Sequence, residues 1–347
     1  MNRNLPASQK FQVAQLLALS ARIGSNPLFT QGSTGNGSVK LSSSLWIKAS
    51  GKWMADAWRE DVLVPVDLNE VRECVHRSVD PTEKYTRASI ETAMHAVMPH
   101  RVVLHTHCVN TIAWAVREDA PAQLQRRLGG LRWRWIQYVP SGLVLAGEIE
   151  RALASSPGSN VLILGNHGLV LGGDDCRAVE DLLYDVQRRL TIRPRYAPAV
   201  DRAALADLAG GMSWDVPKED EVHTLGTDAI SRAVLAGGVL YPCQAIFANS
   251  STPAKLFRAI SLADCRDHQS QYAGRPFLII EGCGVILNPA TTPAERAMLR
   301  GLAQVVQRIG GSTAIRYLTE AEVPTRSSVI ASRYRELSNA SHASAAP

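Results

Sequence analysis

The chain has 347 residues, of which 46% are hydrophobic and 20% charged. That is room for about two domains, and too apolar a composition for disorder, a collagen-like fibre or a disulfide scaffold. Lys plus Arg number 37 against 32 for Asp plus Glu, a net charge of +5 with histidine neutral. Spread over this length, the excess argues against a nucleic acid or an anionic membrane surface as partner and leaves small anions open.

In chain order, residues 1–9 are polar and expected to be loose, and residues 10–24 predict a helix. Its apolar stretch, 11–21, is interrupted by Gln12, Gln15 and Ser20. It therefore reads as an amphipathic helix, not the core of a signal peptide, and no run approaches the roughly 18 apolar residues of a membrane span. A loop over 25–37 carries Gly32, Gly35 and Gly37, and short strands follow at 38–41 and 45–48. Ser50-Gly51 marks a turn. Residues 89–97 have helix logic, with Ser89 as N-cap and Pro99 as the stop. Residues 101–107 form the clearest strand, and 161–164 and 169–171 make another strand pair around Gly165-Asn166-His167-Gly168. Residues 174–190 are helical by the stripe Val179, Leu182, Leu183 and Val186. Alternating strands and helices argue for an α/β fold.

Pro194, Pro198, Gly210-Gly211 and Pro217 mark the best linker, interrupted by a short helix at 201–209. Beyond it the pattern predicts a helix at 226–235, strands at 245–248, 277–281 and 285–287, and a helix at 293–309. The Ser/Ala/Asn-rich tail is expected to be disordered. The domains expected are thus a first at 10–195, a linker at 196–222, a second at 223–335 and a tail at 336–347. Six cysteines (Cys74, Cys108, Cys176, Cys243, Cys265, Cys283) stand at least 18 positions apart with no CxxC. They read as free thiols in a reducing cytoplasm.

His105-Thr106-His107 places two imidazoles on one face of a strand, the arrangement of a two-point metal chelate. Alone the pair is modest evidence; it gains weight because the apolar run Val102-Val103-Leu104 leads into it. His167 sits in a tight turn that can present a side chain. A lone histidine in such a turn is usually structural, but three together carry more. Glu91, near a helix start, would by itself be an ordinary dipole-stabilising carboxylate, with His95 one turn along the same face in a structural role.

These residues resemble a known family. Gly35-Asn36-Gly37-Ser38, Ser50-Gly51, Ser89-Ile90-Glu91, His105-Thr106-His107, Tyr138-Val139-Pro140 and Asn166-His167-Gly168 occur in the order and approximate spacing of the class II aldolase/adducin family. The resemblance covers roughly residues 10–190. It implies a three-layer α/β/α sandwich around a central mixed, largely antiparallel sheet. It also implies that His105, His107 and His167 bind a divalent metal, commonly Zn²⁺, and that Glu91 is the acid/base residue. Asn36, Ser50, Gly51 and Ser89 then match the groups that bind a substrate's phosphate or an equivalent anionic end. Three neutral imidazoles leave the ion its full charge and an open position. An enediolate formed when a C–C bond breaks is stabilised there, and Glu91 moves the proton.

One departure concerns Ile90, which stands where sugar-phosphate aldolases typically have a second phosphate-binding serine. Lys48, Lys52 and Arg87 are alternative anion partners, although ordinary solvated charges is the blander reading of each. The resemblance implies a lyase acting on a small hydroxy-carbonyl sugar, sugar acid or sugar phosphate, with no nucleic-acid or membrane partner. It further implies a cytoplasmic homo-oligomer, a tetramer by family likeness, with Tyr138 a candidate proton donor whose blander role is packing. A decarboxylase of an oxo-sugar acid would use the same logic. A non-catalytic adducin-like interaction domain is the rival from another class, and retention of all three histidines argues against it. In the second half, residues 244–250 and 278–287 echo 101–107 and 162–171, with Ala248, Ser250 and Cys283 at the positions of His105, His107 and His167. Two readings of this echo stand level: a degenerate second copy of the lobe that has lost its metal site, or a chance strand–Gly–strand likeness. No GxGxxG is present, which argues against a dehydrogenase half.

Overall fold

The computed structural model describes residues 5–248, 253–324 and 329–343. The chain divides into two compact units, one of residues 1–115, 120–191 and 336 onward, the other of 116–119 and 192–335.

The first unit contains α1 (Ala7–Gly24), β1 (Asn36–Leu41), β2 (Ser44–Lys48), β3 (Leu63–Asp67), α2 (Leu68–His76), α3 (Thr92–Val97) and β4 (Val102–Thr106). It continues with α4 (Val109–Ala115), α5 (Ala120–Arg127), β5 (Trp133–Ile136), α6 (Leu143–Ser155), β6 (Val161–Leu164), β7 (Gly168–Gly173) and α7 (Cys176–Leu190). The strands form one seven-stranded sheet in the order β3-β2-β1-β4-β7-β6-β5. All pairings are antiparallel except β5 with β6. Pro65 cannot donate to a ladder, and it lies on β3, an edge strand. The strands β4 and β6 are buried along their whole length, as strands covered on both faces must be, and only His105 and Thr106 at the end of β4 break their apolar runs. On one face pack α1, α4 and α7; on the other, α2, α3 and α6. This is the expected three-layer α/β/α sandwich. Under the second face, Met94 and Met98 of α3 and Leu145 and Ile149 of α6 close on Val103, Leu162, Leu164 and Val170 of the sheet. His105 follows Val103 at strand period and so faces the same layer.

The second unit has a two-stranded antiparallel sheet, β8 (Phe277–Ile280) with β9 (Gly284–Leu287). Around it lie α8 (Arg202–Met212), α9 (Asp220–Thr227), α10 (Ala229–Gly237), α11 (Pro242–Ala248), α12 (Pro253–Leu256), α13 (Leu262–Asp267), α14 (Gln269–Tyr272) and α15 (Pro293–Val306). Thr292 and Glu295 form a reciprocal capping box at the start of α15, with Pro293 in its first turn. The last helix is α16 (Val329–Ala343).

Three expectations are corrected. The strand predicted at 245–248 is helix α11, opened by Pro242; so short an apolar run does not reveal its own period. Ser250, which the echo also used, lies outside the described residues. With a helix in place of that strand and two strands in place of seven, the likeness between the halves stops at the β8–β9 hairpin and the helix after it. The stretch 196–222 is not a free linker, because α8 buries Leu205 and Leu208 in the core of the second unit with Leu278, Ile280 and Ile286. Residues 336–343, expected to be disordered, lie in α16, where packing of Ala331 and Ser338 outweighs a helix-poor composition. No single helix among the described residues is long and apolar enough to cross a membrane.

Candidate metal centre

His105 stands on β4, in register with Asn36 of β1 on one side and Val170 of β7 on the other. His107 follows just past the end of the strand. His167 closes the three-residue turn between β6 and β7, and Asn166 before it takes a left-handed φ of +50°, which asparagine tolerates better than most residues. Two glycines let these segments approach. A Cβ on Gly168 would lie 2.5 Å from the Thr106 carbonyl oxygen, and one on Gly35, whose φ is +71°, would lie 2.8 Å from the His105 carbonyl oxygen.

The three imidazoles converge. All are buried, each offers a ring nitrogen, and those atoms lie within 4.8 Å of one another. Nε2 of His105 and Nε2 of His107 are 3.0 Å apart. Two nitrogens each about 2.0–2.1 Å from one tetrahedral ion stand roughly 3.3 Å apart, so the spacing fits a shared cation. His105 Nδ1 donates to the Leu169 carbonyl oxygen (3.0 Å), which fixes the tautomer and leaves Nε2 as the ligand atom. Burial pushes the His105 pKa down to about 4 and holds His107 well below the ordinary imidazole range. Both rings are therefore neutral at pH 7 with lone pairs to give. Three convergent, buried imidazoles fit a divalent metal.

Glu91 closes the fourth side. Its Oε2 lies 3.4 Å from His105 Nε2 and its Oε1 lies 3.2 Å from His167 Nε2. The sequence suggested a helix beginning at Ser89, but α3 begins at Thr92 and Glu91 is its N-cap residue. Ser89 instead holds the turn before it, its Oγ accepting from the Glu91 amide at 3.2 Å. Burial opposes ionisation of Glu91, but any proton held on the His105, His167 or His107 ring and hydrogen bonding to His167 favour it, and the carboxyl lies well below the usual carboxylate range.

A chain of hydrogen bonds aims that carboxylate. Asn36 Nδ2 donates to Glu91 Oε2 (2.8 Å) and to Ser89 Oγ (3.1 Å). Asn36 Oδ1 must then accept, so His95 Nε2 donates to it, and His95 Nδ1 in turn accepts from Ser38 Oγ at 2.7 Å. His95 is thus neutral, with its proton on Nε2, and burial lowers its pKa to about 3. The amide of Asn36 and the hydroxyl of Ser89, both expected to bind an anion, are engaged with Glu91 and its neighbours.

Ser50 and Gly51 lie on the turn after β2, where the Ser50 amide donates to the Arg87 carbonyl oxygen (2.9 Å). Of the three alternative cations, Arg87 is exposed and Lys52 pairs with Glu60 at 2.5 Å. Lys48, expected to be solvated, is 2% exposed. Its Nζ donates to the carbonyl oxygens of Ser33 (2.9 Å) and Lys52 (2.5 Å), tying the Gly-rich loop to the Ser50–Gly51 turn. Burial lowers its pKa to about 7. Tyr138 is buried. Two neighbours of the site had no sequence signal of their own: Ser141, whose Oγ lies 3.4 Å from Glu91 Oε1, and Gln31, whose Nε2 donates to the His107 carbonyl oxygen at 3.1 Å.

The family model described as Class II Aldolase and Adducin N-terminal domain matches residues 14–193. The chain belongs to that family. A curated relative, the uncharacterized oxidoreductase YuxG of Bacillus subtilis (strain 168), is 28% identical over 184 residues, 47% of this chain and 26% of that protein. The match therefore spans about a quarter of the relative's length. Among solved structures, the N-terminal class II aldolase domain of a conserved protein from Thermoplasma acidophilum is 22% identical, covering 55% of this chain and 97% of that one with a TM-score of 0.47. An L-fuculose 1-phosphate aldolase from Glaciozyma antarctica PI12 is 17% identical, covering 53% and 72% with a TM-score of 0.36. The matched residues fall mostly in the first unit, and all the clustered histidines lie among them.

Proposed function

We propose that the class II aldolase domain is a metal-dependent lyase that breaks or forms a C–C bond in a small hydroxy-carbonyl compound of the carbohydrate type. The observation that carries this reading is the buried cluster of three imidazoles with the Glu91 carboxyl group within 3.4 Å of His105 and 3.2 Å of His167. His105, His107 and His167 are the residues that would hold the cation, with zinc the best fit to an all-imidazole donor set. A divalent cation there supplies a Lewis acid, drawing charge from a carbonyl as the adjacent bond breaks.

The chain's own groups do the rest. Glu91, held ionised and fixed through Asn36 and His95, accepts a proton from a substrate hydroxyl or carbon and returns it in the reverse direction. The buried walls exclude water and strengthen each electrostatic contact. Retention of three ligands and the carboxylate supports catalysis over a purely structural, adducin-like role.

Metal analysis of the full chain tests the proposal. About one divalent ion per chain is expected, with affinity falling more than ~100-fold in His105→Ala. Glu91→Gln should keep the metal and lose roughly 10²–10⁴-fold in turnover of the hydroxyketones, sugar acids and their phosphates that a substrate screen identifies. A chain that binds no stoichiometric metal would end the enzyme reading.

A further inference from the structure

The Ser50–Gly51 turn is covered by the chain itself. Residues from Glu336 onward are grouped with the first unit, and there the backbone of α16 lies on Gly51. A Cβ built on Gly51 would meet the Leu337 carbonyl carbon and Cβ at 2.5 Å and the Leu337 carbonyl oxygen at 2.7 Å. The next residue, Ser338, is fully buried, its Oγ 2.6 Å from Ser33 Oγ. Ser33 is also the residue whose carbonyl oxygen accepts from Lys48. The buried ammonium, the Gly-rich loop and the Gly51 turn thus form one platform, on which Leu337 and Ser338 are seated.

A phosphate dianion needs several convergent donors and the volume of a tetrahedral group. Around this turn several of the polar groups are already engaged. The Asn36 amide donates to Glu91 and Ser89, Ser89 Oγ accepts from Asn36 and from the Glu91 amide, and Lys52 pairs with Glu60. Lys48 donates to two backbone carbonyl oxygens, and Ile90 has no hydroxyl. The face of Gly51 on which a side chain would stand is filled by the helix.

We infer that Leu337 and Ser338 are specificity-determining residues that seal the Ser50–Gly51 turn, so that the site takes a hydroxy-carbonyl substrate without a phosphate at that end. This rests on the lyase reading above and narrows its substrate class.

The test uses the full, metal-loaded chain with inorganic phosphate as probe, followed by titration calorimetry. A tryptophan at 338 cannot fit against Ser33 without lifting the segment, and it adds no charge. Ser338→Trp should therefore bind phosphate at least ~10-fold more tightly than the parent, and adding Ser50→Ala should remove the gain. Equal, weak binding in parent and Ser338→Trp overturns the inference, as does tight binding in the parent that Ser50→Ala abolishes. Should Ser338→Trp fail to fold, hydrogen exchange in the parent decides: protected amides at 49–52 and 336–340 support the seal, and freely exchanging ones overturn it. Metal content of His105→Ala is unaffected by any of these results, so failure of the seal and failure of the lyase reading remain distinguishable.

Discussion

Two hairpins, one in each unit, have nearly the same form and different chemistry. β6 and β7 are joined by Gly165-Asn166-His167, and β8 and β9 by Glu281-Gly282-Cys283. In both the middle residue of the turn has positive φ, +50° at Asn166 and +75° at Gly282, and a glycine opens the second strand. What differs is the neighbour. Gly168 lets β7 approach β4, so that His105 on that strand and His107 just past its end meet His167. At Gly284 the neighbour is a helix: a Cβ there would lie 2.6 Å from His223 Nδ1, and the Gly226 carbonyl oxygen on α9 accepts from the Gly282 amide at 2.9 Å. The hairpin presents one side chain; a metal site also requires a strand alongside that supplies the other ligands.

The two opening glycines offer the largest expected effects. Gly168→Ala should destabilise by about 1–3 kcal/mol through overpacking against the Thr106 carbonyl and weaken metal binding by displacing β4. Gly284→Ala should cost as much in stability with no change in metal affinity. Urea unfolding and metal titration of the pair check both, and equal metal loss in the two variants would break the contrast.

A smaller effect separates the buried histidines. Burial holds His95 at about 3 and lowers His223, whose Nδ1 accepts from the Val285 amide at 3.1 Å. In each case the folded pKa lies below the unfolded value near 6.5, so the unfolded chain takes up the proton first. The stability each ring contributes is intact above about pH 6.5 and is lost on acidification, for His95 over the window down to about 3. His95→Gln should flatten the acid-side fall of unfolding free energy by up to about 1.4 kcal/mol per pH unit. His223→Gln should flatten it less, and denaturant titrations on either side of about pH 5 measure the difference. The smallest effect expected is none: Cys283→His should bind no metal beyond the one ion expected at His105, His107 and His167, because β8, the strand paired with β9, carries no histidine. Uptake of a second ion by that variant would mean that the turn alone makes the site.

Much of the first unit was legible in its sequence. Strand period put His105 and His107 on one face, and the Gly-Asn-His-Gly turn marked His167 as presented. Short-range rules of alternation, capping and turn residues act within a few positions, so they leave their mark on neighbouring letters. They served less well at residues 242–248, where an apolar run led by proline fits strand or helix and only its surroundings choose.

Other features were decided by segments far apart in the chain. Lys48 reads as a solvated cation until the loop from residue 31 to 34 and the turn at 49–52 bury it and offer it carbonyl oxygens. Asn36 reads as an anion ligand until β1 pairs with β4 and sets its amide against Glu91 and His95. Gly51 reads as an open turn until α16 lies on it. Burial and hydrogen-bond partnership depend on what packs from elsewhere. The residue types of the site were therefore determined by sequence, and the role of each donor by the tertiary structure.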